Sequence, residues 1–378
     1  MRHHLYNPTF QFIEAPIHFN KYTEKQLLQY CLGATLYMPA TKDFSKAIMN
    51  REMLGLTSMV MCFEDAIKDE DLPSAESNVN NFFNDIDQAK KRGMLTDDDI
   101  PLIFFRVRSP EQFIKISSKL SPDHAKILAG FVFPKFSTSN GNMYFEHLRT
   151  LNEKFDEVLY GMPILEGTEI AYAETRTYEL MGVRKIIDNY KDLVLNIRVG
   201  ATDFSSNFGV RRGIDYTIYD ILTVKDCLLS ILNTFSRNND YVIAGPVWEY
   251  FLVNKSMKFA ETLESRIQSS LLKRNPIIND AVDGLLREVT LDKANGFVGK
   301  TIIHPTHLEY VNAMQAVTKE EYNDAVQILG ASGGVMKSTN ANKMNEIKPH
   351  RSWANTIYMR AKAFGVIEDE ASYIKLFS

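Results

Sequence analysis

At 378 residues, with 45% hydrophobic and 24% charged residues, the chain has a globular composition and the length to bury a large core without staples. Its formal net charge is −4, and Arg211 beside Arg212 makes no basic patch, so a nucleic-acid groove has little electrostatic support. No apolar stretch approaches the roughly 18–20 residues that span a bilayer, so no membrane partner is expected.

The first 30 residues form a leader with no assigned packing. Short apolar runs follow at 33–39 (GATLYMP), 58–64 (SMVMCFE), 101–107 (PLIFFRV), 130–135 (GFVFPK), 158–166 (VLYGMPILE), 194–200 (VLNIRVG), 241–245 (YVIAG) and 299–305 (GKTIIHP). Each is near-continuously apolar rather than alternating, the pattern of parallel strands covered on both faces. The segments between them hold helices, as in 110–120 and 169–190, where apolar residues recur at helical spacing. Eight strand–helix alternations predict an α/β fold of the (β/α)8 TIM-barrel type. A doubly wound open sheet is the alternative, but it usually brings a Gly-rich phosphate turn, and neither GxGxxG nor GxxxxGK[ST] occurs. Residues 1–312 are expected to be the catalytic barrel with its leader. Residues 313–378 are expected to be a C-terminal extension, serving as a lid or an oligomer contact. It holds a loop at 330–345 rich in Gly, Ser and Asn and a helix around 353–366. The cysteines Cys31, Cys62 and Cys227 share no metal-ligand spacing, and their odd number suits reduced thiols in the cytoplasm.

In such a barrel the catalytic groups sit where the strands end. Reading each run to its end finds Glu64 and Asp65, Arg106, Lys135, Glu166, then Arg198 and Asp203, and finally His304. Burying one such charge without a partner is expensive, so their convergence points to a site. Glu166 and Asp203, on adjacent strand ends, can supply two oxygens to Mg2+ or Mn2+, with substrate and water completing the shell. Arginine pairs or backbone N–H groups could equally hold the two carboxylates. Arg106 can bind a carboxylate or a developing enolate oxygen, or can pair with Glu64 or Asp65. Arg108 shares its face if the strand stays regular that far. Glu64 and Asp65 can orient metal-bound water, while Asp65 also suits a helix N-cap. Lys135 can neutralise an acidic substrate or pair with Glu166. His304 and His307 fit hydrogen-bonded packing better than a ligand pair. Gly200, Gly245 and Gly299 permit close backbone approach or turns.

Taken in order, LYMPA (36–40), CFEDAI (62–67), FFRVR (104–108), GFVFPK (130–135), MPILEG (162–167), VGATDFSSNFG (199–209) and GFVGKTIIHPTHLEYVN (296–312) resemble the HpcH/HpaI aldolase and citrate lyase β-subunit family, in a divergent bacterial branch. The resemblance implies a TIM barrel, a divalent ion such as Mg2+, and carbon–carbon bond cleavage or formation. Position by position it implies metal carboxylates at Glu166 and Asp203, a substrate-binding arginine at Arg106, and an acidic pair at Glu64 and Asp65. Lys135, Gly200, Ala201 and Thr202 are expected to contact substrate. Arg108 stands where the family usually has Asn or Pro. The expected substrate is a hydroxy- or keto-carboxylic acid or its CoA thioester, and the expected assembly a homotrimer or hexamer. Thioester hydrolysis at the same site and a catalytically silent metabolite-binding barrel are the competing readings.

Overall fold

The computed structural model describes residues 1–251, 278–339 and 343–377. Seven of the eight apolar runs become strands: β1 (Ala34–Pro39), β2 (Ser58–Cys62), β3 (Leu102–Arg106), β4 (Leu128–Phe133), β5 (Tyr160–Leu165), β6 (Arg198–Val199) and β7 (Lys300–Ile302). They form one parallel sheet in the order β6-β5-β4-β3-β2-β1-β7. The remaining run, 241–245, closes the gap between β6 and β7 without becoming a regular strand. It contributes only the parallel bridges Ile197↔Ile243 and Gly245↔Lys300. The Ile197 N–H donates to Val242 O at 3.0 Å and the Gly245 N–H to Gly299 O at 3.1 Å, which completes the circle of a TIM barrel.

Every residue of β2 through β5 is buried, as continuous apolar runs require. Phe83, Phe105, Phe131 and Phe113 form a chain of aromatic contacts that welds helices to the outer face of β3 and β4. The expected helix at 110–120 is observed over Pro110–Ser117, started by Ser109 capping the Gln112 N–H. The expected helix at 169–190 splits at Tyr172 into Thr168–Ala171 and Ala173–Asn189. Arg176 fills that break by donating to the carbonyls of Ile170 and Ala171, both at 2.7 Å. Among the described residues no helix is long and apolar enough to cross a membrane.

Where hydrogen-bonded pairing is sparsest, charge takes over. The Lys300 ammonium, fully buried on β7, meets Glu288 at 2.9 Å and Asp292 at 2.7 Å on the helix Asp280–Ala294. Arg212 pairs with the same Glu288 and lies 4.7 Å over the Trp248 ring, and the Tyr219 hydroxyl donates to Asp292 at 2.6 Å. Gly245 is required beside this network, because a Cβ there would stand 2.7 Å from Asp292 Oδ2.

Both chain ends gather where the strands begin. His3 Nε2 contacts Cys31 O at 3.0 Å, and His4 Nε2 contacts Phe364 O at 2.9 Å. The Val366 N–H donates to Glu14 O, and the Ile13 N–H to Val366 O, both at 2.8 Å. The short strand Val366–Ile367 pairs in parallel with Val317–Thr318. The helices Lys319–Gly330 and Ile347–Phe364 pack together on this side, the latter ending at Gly365 with φ 81°. The last barrel helix runs over Leu308–Gln315, past residue 312. The extension therefore docks at the end of the barrel opposite the strand-end carboxylates, which is not where a lid would sit. The expected loop at 330–345 contains an antiparallel pair, Val335–Lys337 with Met344–Glu346, and its residues 340–342 lie outside the described ones.

Lys300→Met leaves Glu288 and Asp292 buried with a charge removed. It is expected to destabilise the fold by about 3–5 kcal/mol, the range for breaking a buried pair from one side. Urea unfolding followed by far-UV circular dichroism measures this, and a loss under about 1 kcal/mol would show that the network does not secure the barrel's closure.

Candidate active site at the barrel mouth

The strand ends open onto a cavity of about 420 Å³, lined by Tyr37, Cys62, Asp65, Arg106, Glu166, Arg198, Gly200, Ala201, Thr202, Asp203 and Thr301 among others. Arg106, the last residue of β3, is its hub. The Nη2 atom lies 2.6 Å from Glu64 Oε2, 3.3 Å from Asp65 Oδ2 and 3.1 Å from Glu166 Oε1. The sequence alternatives for Arg106 are thus joined: it pairs with the acidic residues after β2 and also holds the carboxylate after β5.

Glu166 is only 4% exposed. Its Oε1 also accepts the Lys135 backbone N–H at 3.0 Å. That contact needs Lys135 in the left-handed region, φ 46°, an uncommon conformation for a non-glycine residue and one that concentrates at functional sites. The other oxygen, Oε2, lies against Gly200, where a Cβ would fall 2.2 Å from it. With φ −100°, Gly200 serves close approach and not a left-handed turn. Its N–H is spent on Leu165 O at 3.2 Å. Burial pushes the Glu166 carboxyl up, to about 8. The charges of Asp203 and Glu64 add to the rise, while Arg106 and the Lys135 N–H oppose it.

Asp203 lies half-buried in the first turn of the helix Ala201–Asn207. Among the described residues its carboxylate makes no ion pair or hydrogen bond. Two neighbouring carboxylates, one strongly desolvated and one without a cation, are a hard-oxygen donor set that fits Mg2+ or Mn2+. Among the described residues no three His, Cys, Asp or Glu side chains are placed to hold a metal by themselves. Water and substrate would complete the shell of such a two-carboxylate site.

Around this centre several side chains take positions the sequence left open. The Lys135 ammonium pairs with Glu64, and only its backbone reaches Glu166. Burial works to lower that ammonium, but its contact with Glu64 and the surrounding carboxylates hold it above the usual lysine value. Burial raises the Glu64 carboxyl. In Asp65 burial is outweighed by hydrogen bonding to Glu64 and by the Arg106 and Lys135 charges, which hold its carboxyl low. Asp65 caps no helix, since the next elements are a turn at Asp69–Asp71 and a helix from Leu72. Arg108 leaves the face of Arg106 and clamps the loop carrying Glu64 and Asp65, donating to Ile67 O at 2.6 Å and also to Phe63 O and Asp69. His304 stacks on Phe251 with centroids 4.4 Å apart, and His307 contacts Tyr250 O at 2.9 Å, so both are packing residues.

Sequence reasoning placed Arg198 in the sixth region without a role and missed Tyr37. Arg198 is 1% exposed and reaches across the barrel interior to the hydroxyls of Thr301, at 2.7 Å, and Thr35, at 3.3 Å. Its guanidinium lies 5.3 Å from the Tyr37 ring centroid. Burial lowers the guanidinium below the usual arginine range, and Tyr37 opposes that only in part. The signal for Tyr37 was a polar atom inside an apolar run, whose hydroxyl is buried and without a hydrogen-bond partner beyond the Arg198 guanidinium.

A closed parallel barrel with acids and a shared arginine gathered at its strand ends defines a class: TIM-barrel proteins with a candidate active site at the mouth. The family described as C–C bond lyases of the TIM-barrel fold matches residues 26–366, and the chain belongs to it. Two solved structures share the fold. One is CitE from Mycobacterium tuberculosis in complex with magnesium, acetoacetate and coenzyme A, with 14% identity, 88% of this chain and 99% of that chain covered, and a TM-score of 0.52. The other is the magnesium/glyoxylate complex of Haloferax volcanii malate synthase, with 10% identity, 87% and 88% covered, and a TM-score of 0.51. RipC from Yersinia pestis is more distant at a TM-score of 0.47, with 14% identity and 76% and 95% covered. No curated protein sequence matches the chain.

With its carboxyl raised from 4.5 to about 8, Glu166 keeps its proton in the folded metal-free protein over a range where the unfolded chain has lost it. Stability in EDTA is therefore expected to be greatest below the lower value and to fall as pH rises through the window to the upper one. Urea midpoints across this window measure it. Glu166→Gln, which cannot ionise, should flatten that slope; equal slopes in both proteins would contradict the assignment.

Proposed function

We propose that the chain is a divalent-metal-dependent C–C lyase of the retro-aldol or retro-Claisen kind, acting on a hydroxy- or keto-carboxylic acid or its CoA thioester. The observation that carries this reading is the buried Glu166, held on one oxygen by Arg106 and the Lys135 N–H, beside an Asp203 without a cation. Glu166 and Asp203 would hold the metal, which when bound supplies Lewis acidity to a carbonyl or carboxylate of the substrate. The magnesium named in the complexes of CitE and malate synthase supports the same assignment.

The chain's own groups divide the remaining work. Asp65, held ionised at the cavity wall, takes the proton of the substrate hydroxyl. The O–H electrons form the new carbonyl as the carbon–carbon bond breaks. The released pair becomes an enolate, whose oxygen the Arg106 guanidinium stabilises. Glu64 and Arg108 keep Asp65 and its loop in place, and Lys135 orients both Glu64 and Glu166. A Schiff base at Lys135 is disfavoured, because its amine is held protonated by Glu64 and a nucleophilic lysine needs the opposite shift.

A panel of hydroxy-keto acids and acyl-CoA thioesters, assayed with Mg2+, tests the reading. Glu166→Gln, Asp203→Asn and Arg106→Met are each expected to lower kcat by about 10²–10³-fold. Borohydride with pyruvate should trap no adduct in the wild type. CoA release without a cleaved carbon skeleton would assign thioester hydrolysis instead. No Mg2+ binding and no turnover would assign a silent barrel.

A further inference from the structure

We infer that the floor of the mouth is an anion subsite, built by Arg198 with Thr35, Thr301 and Tyr37, that takes a second carboxylate of the substrate. It rests on the reading of the mouth as the reacting site, and it adds a residue that sets which acids bind there. The other buried cations facing the barrel interior or its closure meet carboxylates, Arg106 with Glu64 and Glu166 and Lys300 with Glu288 and Asp292, whereas Lys293 and Arg360, at the far end of the barrel, are held by carbonyls and a tyrosine hydroxyl. Arg198 meets two neutral hydroxyls and the face of one ring, and no carboxylate among the described residues. A guanidinium has five N–H donors, and two bonds leave it far from satisfied. Its Nε is buried and without a partner, and the buried Tyr37 hydroxyl beside it finds no hydrogen-bond partner beyond its interaction with this guanidinium. Desolvating a charge to this degree without a counter-ion is costly, and Arg198 alone among these cations does so while lining the cavity at the mouth.

Position gives the subsite its meaning. Arg198 is in register with Ile164, two residues before Glu166, so its backbone lies about 6–7 Å deeper along the strands. The guanidinium crosses to the second residues of β1 and β7, below the carboxylates, and still lines the same cavity. The mouth is therefore polarised. Four carboxylates stand at the rim, where Arg106 and Lys135 are already engaged by them, and an uncompensated positive charge stands beneath. A ligand with one end at the rim and a carboxylate on the floor supplies the missing counter-ion. Arginine suits a planar carboxylate through paired donors, and charge-assisted bonds of this kind are the stronger ones.

Calorimetric titration of the Mg2+-supplemented protein with succinate and with butyrate, equal in chain length, isolates the second carboxylate. Wild type should bind succinate at least about tenfold more tightly, the effect of one charge-assisted hydrogen-bonded contact. Arg198→Met should bring succinate down to the level of butyrate, and Arg198→Lys should keep part of the preference. Thr301→Val, which removes only the hydroxyl that positions the guanidinium, should weaken succinate and leave butyrate unchanged, so the subsite stays testable if Arg198→Met fails to fold. Equal affinities in wild type, or a preference that survives in folded Arg198→Met, would overturn the subsite. Titration with Mg2+ alone separates the two claims. Absent Mg2+ binding would sink the metal-dependent lyase and leave the succinate comparison to decide the floor.

Discussion

The site depends on one electrostatic constraint: a carboxylate kept almost entirely from water beside a single arginine. Arg106 opposes the burial that favours the protonated Glu166 carboxyl without overcoming it, and Arg106 is itself kept buried by its contacts with Glu64, Asp65 and Glu166. Four strands contribute to this arrangement. The guanidinium ends β3, the acids follow β2 and β5, and Lys135 follows β4 in a left-handed conformation in which its N–H reaches Glu166. Burial pushes the Glu166 carboxyl upward, and the unmatched charge of Asp203 adds to that rise.

Stability and chemistry are separated along the barrel axis. At the strand beginnings, leader and tail pair through Glu14 and Val366, and His3 and Phe364 stack with centroids 4.3 Å apart. Gly33 is sealed beneath them, since a Cβ there would lie 2.5 Å from Asn312 Oδ1. Closure between β6 and β7 depends on the Lys300 network, whose charges are fully matched. The mouth can then carry an unmatched charge pattern because the rest of the fold tolerates its cost.

Much of this was legible in the order of residues. Continuous apolar runs announce parallel strands, and a charge just after an apolar run announces the mouth; Glu64, Asp65, Arg106, Lys135, Glu166 and Asp203 were all found that way. What stayed hidden depends on contacts between distant segments. Residues 241–245 have the composition of a strand, yet they bridge at single positions, and their backbone hydrogen bonds together with the buried network beside Gly245 close the barrel there. Gly200 carries no mark that Glu166 lies behind it. Whether the Lys135 side chain or its backbone reaches Glu166 depends on one left-handed residue. Arg108 reads as the partner of Arg106 on a regular strand, but β3 ends at Arg106 and the next turn carries Arg108 to the loop of Asp69. Residues 313–378 gave no clue to which end of the barrel they cover.

Arg198 and Lys300 show why a buried charge must be read with its partners. Both are fully enclosed, both stand in short strands flanking the closure, and both look alike in sequence as a cation within an apolar run. Lys300 is matched by two carboxylates from a helix outside the sheet, so its charge is consumed in holding the barrel together. Arg198 turns inward to hydroxyls and a ring, which can orient a guanidinium but cannot neutralise it. The same strand then continues through Gly200 to Asp203, so one short segment carries the unmatched positive charge of the floor and an unmatched negative charge of the rim. A field directed along the barrel axis follows from that arrangement, and it favours ligands whose own charge is placed at depth and whose reacting end stays at the mouth.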